Sequence, residues 1–452
     1  MLVYTLVTVF TVDLLAAVGD VAQTWTHPTY YILRSNSTFE NPLGRRISEY
    51  EENWISWFFY IGAVLGALPT PFVADKLGRK TVLLCTALPH AVAYLMFAFA
   101  KTISLYYAAR IVAGFASGAG YSVLPSYIAE ISEDSYRGAL VATLNIAWNI
   151  GRLIPFCVGY YLPTRQFNII LAAVPVTFFI IFLLNGSESP HYLVRTNKES
   201  KAETTLMRLR SNGIEEVAKE ITHIKGPMNG YARGSITEPK LRYALTVSLV
   251  LMVAQQVSGI RTVTHELRHT FEVTDNGLAM QLSTFICGAC ILFSSVFSAA
   301  LIEKIGRKLC LTISFSGNMV ALTVLGVYCF LENIAKDFTT YFYWIPLVAK
   351  LTFVLFYNFG AASVPWVIFS ELFPYDVKAV SATLVSVVYW VSCFVVSTVF
   401  VDFNTNLGDS GKYFVFSVFC LYGVYFSLTS VPETKGQTFD AIQQKLEDNI
   451  KD

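Results

Sequence analysis

The chain has 452 residues, 54% of them hydrophobic and only 14% charged, with a net charge of +1 and a mean hydropathy of +0.50. That much apolar surface excludes an ordinary soluble globule and places the chain in a bilayer. A near-zero charge with no concentrated basic surface excludes nucleic acid as a partner.

A helix needs about 20 apolar residues to cross the hydrocarbon core, because every backbone polar group must be satisfied within it. Twelve stretches qualify: 2–23, 54–73, 81–100, 104–129, 138–161, 166–184, 241–264, 277–302, 309–331, 342–370, 379–401 and 413–431. The first starts at Leu2 with no basic region before it and carries Asp13 and Asp20, which marks a retained membrane helix rather than a signal peptide. With both termini cytoplasmic, the inner segments hold 21 Lys and Arg and the outer ones 8, as the positive-inside rule favours. The first outer loop then carries Asn36-Ser37-Thr38, an N-glycosylation acceptor. The polar stretch after the sixth span has helical spacing over Ala202–Leu209 and Ile214–Ile224 and reads as short amphipathic helices between two halves. Cys85, Cys157, Cys287, Cys290, Cys310 and Cys393 lie in or beside apolar runs without metal spacing and read as buried small hydrophobes.

Three signals recur six spans apart. Asp75-Lys76-Leu77-Gly78-Arg79-Lys80 is echoed by Glu303-Lys304-Ile305-Gly306-Arg307-Lys308. Glu130 ahead of Arg137 is echoed by Glu371 ahead of Lys378, and Glu188-Ser189-Pro190 by Pro432-Glu433-Thr434. Repetition in one order implies two parallel repeats, a construction used by secondary transporters. Asp75, Arg79, Glu130, Arg137 and Glu188 are expected to form one cluster at the inner helix ends, and Glu303, Arg307, Glu371, Lys378 and Glu433 its counterpart. Together they would latch the cytoplasmic side; single exposed pairs are worth only about 0–1 kcal/mol, so the network carries the effect.

The stretch Gln255–His269, QQVSGIRTVTHELRH, reads two ways. Gln255 and Gln256 offer amide donors and acceptors suited to hydroxyl groups, whereas His265, Glu266 and His269 spell HExxH, a zinc-peptidase signature. A catalytic zinc site wants a third ligand, and Arg268 beside the histidines opposes a cation.

The repeated motifs, with Arg110 and Gly114, Pro125-Ser126-Tyr127, Gln255-Gln256 with Ser258-Gly259-Ile260, Pro365-Trp366 and the closing Pro432–Gly436, resemble the sugar porters of the major facilitator superfamily over essentially the whole chain. Trp25, Pro28 and Asn149-Ile150-Gly151 look most like the insect facilitated trehalose transporter group. The resemblance implies an all-α membrane protein with twelve transmembrane helices in a major facilitator fold of two pseudo-symmetric six-helix bundles. The expected divisions are residues 1–185, a cytoplasmic linker at 186–240, 241–431 and a tail at 432–452.

It further implies facilitated, alternating-access movement of a hexose- or trehalose-class solute. Gln255, Gln256, Arg261, Asn145, Trp366 and Trp390 would line its site, with His265 and Glu266 at an outer gate. Departures concentrate there. Arg261, His265 and Glu266 stand where Asn and two aromatics are usual, Asn145 where Gln is frequent, and Ile291 where a polar residue is expected. Ala362 and Ser363 stand where Gly and Pro are common, and Tyr389 where Asn is common. Arg152 falls at bilayer depth, where a lone charge is costly, so Asp20 is expected as its partner, or else as a proton-coupling carboxylate. These changes leave open a charged organic solute or a non-transporting sugar sensor. No enzymatic activity and no cofactor are expected; the partners are a carbohydrate-like solute and the lipid of a plasma membrane, around a monomer.

Overall fold

The computed structural model describes every residue except 1, 36–40, 134, 160, 211–213, 231–237, 265, 267–276, 335–340, 438 and 452. Among the described residues twelve helices are long and apolar enough to cross a membrane. We label them α1 (Val3–Leu33), α2 (Glu49–Leu77), α3 (Arg79–Phe99), α4 (Ile103–Ile131), α5 (Arg137–Val158), α6 (Thr164–Asn185), α7 (Pro239–Thr264), α8 (Gly288–Ile305), α9 (Arg307–Glu332), α10 (Ile345–Leu372), α11 (Asp376–Thr398) and α12 (Ser410–Thr429). An even number of crossings puts both termini on one face, called the terminal face below.

Spans α1–α6 form one bundle and α7–α12 the other; they meet where α5 packs on α8 and α2 on α11. Close approach comes from small residues, as van der Waals packing between membrane helices requires. In the first bundle Gly62 and Gly66 of α2 face Gly114 and Gly118 of α4. A Cβ added at Gly118 would lie 1.9 Å from the Ala63 carbonyl oxygen, and one at Gly66 2.0 Å from that of Phe115. Arg110 of α4 clamps the same bundle from within. Its Nε donates to the Ile55 carbonyl at 3.0 Å, another guanidinium nitrogen donates to the Ala22 carbonyl, and the cation lies 4.4 Å above the Phe59 ring. α1 is interrupted at Trp25, between helices Leu2–Thr24 and Thr26–Leu33, with the indole stacked on Phe97 at 3.8 Å and bonded to Asn168 at 2.7 Å.

α10 is not uniform. Between Ile345–Phe356 and Val364–Leu372 lies a π-turn, Tyr357–Ala361. On the terminal face the helices Pro190–Arg195, Glu199–Leu209 and Ile214–Gly230 link the bundles, matching the amphipathic spacing. Arg210 ties this linker to the end of α4 through the Ile131 and Ser132 carbonyls. Large apolar side chains such as Ile180, Leu183, Leu184, Phe293 and Val418 remain exposed on the spans, which is the surface that lipid covers. Cys310 and Cys393 are buried hydrophobes as expected, but Cys85 and Cys157 sit at exposed positions on their helices.

Candidate solute pathway between the bundles

The terminal face is closed by two matching clusters. Gly78 and Gly306 have φ of +96° and +97°, a left-handed turn between consecutive spans that side chains disfavour. Into each turn a carboxylate inserts. Glu188 accepts from the backbone amides of Arg79 at 2.8 Å and Lys80 at 3.1 Å, and Glu433 from those of Arg307 at 3.0 Å and Lys308 at 3.1 Å. These amides start α3 and α9, where orphan N–H groups and the helix dipole favour an anion. Burial pushes the Glu188 carboxyl above the usual range, against the pull of its backbone donors. Arg79 pairs with Asp75 at 2.7 Å and Glu130 at 3.2 Å; Arg307 pairs with Glu303 and Glu371, both at 2.7 Å. Ser189 donates to Glu130 as Thr434 donates to Glu371.

The sequence grouping needs one correction. Lys378 does not join the second cluster; it crosses between bundles to Glu130 of α4 at 3.3 Å. Its position at the start of α11 points it at the other bundle, where Glu130 carries a carboxylate oxygen that Arg79 and Ser189 leave over. Other groups cross as well. Glu303 accepts from the Ala139 backbone amide at 3.1 Å, Gly138 leaves room for the Arg307 guanidinium, and the charge of Arg137 acts on Glu371.

Midway along the spans five aromatic rings meet. Tyr121 of α4 is stacked on Trp148 of α5 at 4.5 Å and 8°, and on Tyr389 of α11 at 5.5 Å and 18°. Trp366 and Trp390 close on Tyr121 edge-on at 5.5 and 5.1 Å. Two bundles thus share one ring stack, and Tyr121 fills the slot between Trp148 and Tyr389. Its hydroxyl donates to Asp20 at 3.0 Å, and Asp20 is paired with Arg152 at 3.2 Å, the partnership expected from charge at bilayer depth. The neutral amides are mutually engaged. Gln255 donates to the Ala361 and Ala362 carbonyls at 2.8 and 2.9 Å, which are available because Pro365 has no N–H and the Trp366 amide turns to Ser363. Asn149 donates to Asn145, Ser295 and Asn358. Asn145 reaches the Asn358 carbonyl at 3.4 Å, and Gln256 bonds Gln255 and Arg261.

Toward the opposite face Arg261 donates to the Tyr60 hydroxyl across the bundle boundary at 3.0 Å, and Tyr60 meets Ser397 of α11 at 3.2 Å. Trp57 and Phe394 pack over them. Glu266, expected at an outer gate, is engaged within its own bundle among the described contacts: it pairs with Lys412 at 2.5 Å and Lys350 at 3.6 Å and accepts from the Tyr413 hydroxyl. Two buried lysines there attract the carboxylate inward. His265, His269 and Asn36 lie outside the described residues. Reasoning from sequence missed Tyr121, Trp148, Tyr60, Lys350 and Lys412. Lys350 alone carried a signal, as a charge inside an apolar run.

Mirrored bundles, ion-paired ends and a shared boundary of rings, amides and buried charge define a membrane carrier with a major facilitator fold rather than an enzyme. The chain belongs to the sugar (and other) transporter family, whose pattern matches residues 14–446. It is 28% identical over 413 residues to the facilitated trehalose transporter Tret1 of Polypedilum vanderplanki, covering 90% of this chain and 81% of that one. It is also 28% identical over 405 residues to its namesake in Bombyx mori, covering 88% and 80%. Among solved structures it is similar to the proton:xylose symporter XylE bound to 6-bromo-6-deoxy-D-glucose, with a TM-score of 0.84 at 22% identity over 97% of this chain and 99% of that one. The inward-open conformation of XylE from E. coli is less similar, with a TM-score of 0.70 at 21% identity over 98% and 99%.

Proposed function

We propose that the protein moves a sugar-class solute down its gradient by alternating access. The ring-and-amide cluster shared by the two bundles carries this reading: aromatic rings and amides suit a sugar, and the cluster lies where rocking of one bundle against the other would expose it to either side. The terminal face is cytoplasmic in this reading, and the membrane is the plasma membrane. The mirrored clusters act as the inner latch, and Arg261 with Tyr60 stands at the outer closure. Residues 1–185 and 241–431 are the moving bodies, 186–240 the link and 432–452 the tail. Facilitated movement is favoured over proton coupling because Asp20 is held by both Arg152 and Tyr121, and because the insect relatives bear the name of facilitated transporters.

Uptake of radiolabelled hexoses, trehalose, polyols and sugar acids, measured with the protein at the surface of a transport-null host, tests the proposal. Saturable uptake that ignores a proton uncoupler is expected. Correct insertion without uptake of any of these solutes refutes it.

A further inference from the structure

One ring of the stack between the bundles is enclosed by all the others. Tyr121 lies with its faces against Trp148 at 4.5 Å and 8° and Tyr389 at 5.5 Å and 18°, while Trp366 and Trp390 meet it edge-on. A flat six-membered ring is thus held between two near-parallel aromatic faces, with its one hydroxyl donated to the Asp20 carboxylate at 3.0 Å. Aromatic faces and a carboxylate equally suit a pyranose, which presents apolar C–H faces and a rim of hydroxyls. Tyr121 is 1% exposed and Tyr389, the most open of the five rings, 4%, so a solute enters this place only if a side chain leaves it.

Polar atoms beside the stack are not served by the phenol. Among the described residues, five buried atoms there have no hydrogen-bond partner: Nε of Arg152, Nε1 of Trp148 and of Trp390, Oγ of Ser386 and Oδ2 of Asp20. The three nitrogens donate, the carboxylate oxygen accepts, and the hydroxyl does both. Asp20 Oδ2 faces the Arg152 guanidinium at 3.2 Å as an ion pair, and Ser386 stands one turn before Tyr389 and Trp390 on α11. Buried polar atoms are nearly always bonded, so this mixed set beside one ring points to a partner richer in hydroxyls. A phenol has one; a sugar ring of like breadth carries several, each able to donate and to accept. Nor does its own bundle enclose the phenol. Trp148 belongs to the first bundle, whereas Tyr389, Trp366 and Trp390 belong to the second, so parting the bundles uncovers Tyr121 on three sides.

We propose that Tyr121 is a built-in stand-in for the solute: in the empty carrier its phenol occupies the ring position, and a sugar must displace it to bind between Trp148 and Tyr389. This rests on the carrier reading and adds the residue that sets its apparent affinity. Displacement weakens binding by the fraction of molecules in which the slot is free. When that fraction is about 1–10%, apparent affinity is reduced about 10- to 100-fold, and removing the occupant restores it. An occupant therefore behaves oppositely to a wall: truncating a wall residue weakens binding, whereas truncating the occupant tightens it.

Binding of D-glucose and trehalose to the purified parent, Tyr121→Ala and Tyr121→Phe, read as sugar-dependent melting temperature, together with uptake of both labelled sugars, tests the proposal. Half-saturation is expected at a sugar concentration lower by about tenfold or more in Tyr121→Ala than in the parent. Tyr121→Phe keeps the ring but loses its bond to Asp20, and should fall between the two. Free p-cresol, the deleted side chain, should stabilise Tyr121→Ala but not the parent, and should compete there with the sugar. Equal or weaker sugar binding by folded Tyr121→Ala overturns the stand-in and leaves the carrier standing; if that variant does not fold, unchanged or weaker binding by Tyr121→Phe does the same. Binding of p-cresol and sugar to Tyr121→Ala without competition puts the solute elsewhere and also overturns the stand-in. No binding or uptake of either sugar by parent and variants alike, all correctly folded, overturns both the stand-in and the sugar carrier.

Discussion

Lys378→Met removes the cation that joins the two bundles at the terminal face while keeping most of its aliphatic packing. Across the 3.3 Å to Glu130, Coulomb attraction at an effective dielectric of about 20 is about 5 kcal/mol. Most of that is offset by the desolvation of two charges that are 8% and 2% exposed, and Glu130 keeps Arg79 and Ser189 when Lys378 is lost. A net loss of about 1–3 kcal/mol from the closed form remains, which shifts the open-to-closed ratio about 5- to 150-fold. Ala382 is 3% exposed and lines a small cavity with Asp75, Arg79 and Lys378, so a cysteine there reports opening. In nanodiscs, with the eight native cysteines replaced, Ala382→Cys should react with a maleimide at least fivefold faster when combined with Lys378→Met, and near the parent rate with Lys378→Arg. An unchanged labelling rate in the methionine variant would show that the bridge does not hold the face shut.

Tyr121→Ala empties the slot between Trp148 and Tyr389; if the phenol sets the size limit of the solute pathway, disaccharide uptake should rise severalfold while thermal stability falls by about 3–5 kcal/mol equivalent. Gly118→Val forces a side chain against the Ala63 carbonyl, and a loss of about 1–3 kcal/mol, read as a lowered melting temperature in detergent, is expected. His191, beyond the end of α6, is pushed down to about 4 by burial, with Glu130 opposing and Lys378, Arg137 and Arg79 reinforcing. The unfolded chain protonates this group near 6.5, so its contribution is fully present above that pH and is lost as pH falls toward 4. Melting temperature against pH should therefore fall through this window, by an amount on the order of 1–3 kcal/mol, and fall less in His191→Gln.

Much of the scaffold was legible because hydrocarbon imposes a one-dimensional rule: runs of about 20 apolar residues must be helices. Charges in such runs demand a partner, which is why Asp20 and Arg152 could be matched before any geometry was known. Repeated motifs likewise disclosed the mirrored turns at Gly78 and Gly306. The ring cluster was harder to read. Tyr121 and Trp148 sit in runs where aromatic residues are common, and nothing in periodicity distinguishes a ring that faces lipid from one that fills the boundary. Lys378 was placed with its sequence neighbours because spacing cannot tell an ion pair within a bundle from one between bundles. The ion pairs of Glu266 were likewise out of reach, since its lysines come from α10 and the start of α12.

The π-turn at Tyr357–Ala361 also sets angular register along α10. A turn of that kind holds one residue more than an α-turn, and each residue advances the helix by about 100°. Trp366, Ser370 and Glu371 all follow it, so the orientation of the ring cluster and of the latch depends on one extra residue upstream. Deleting a single position within the turn would swing both by roughly a quarter turn while leaving every α10 side chain needed at either place in the sequence. Length, in this helix, is as much a determinant of the pathway as chemistry.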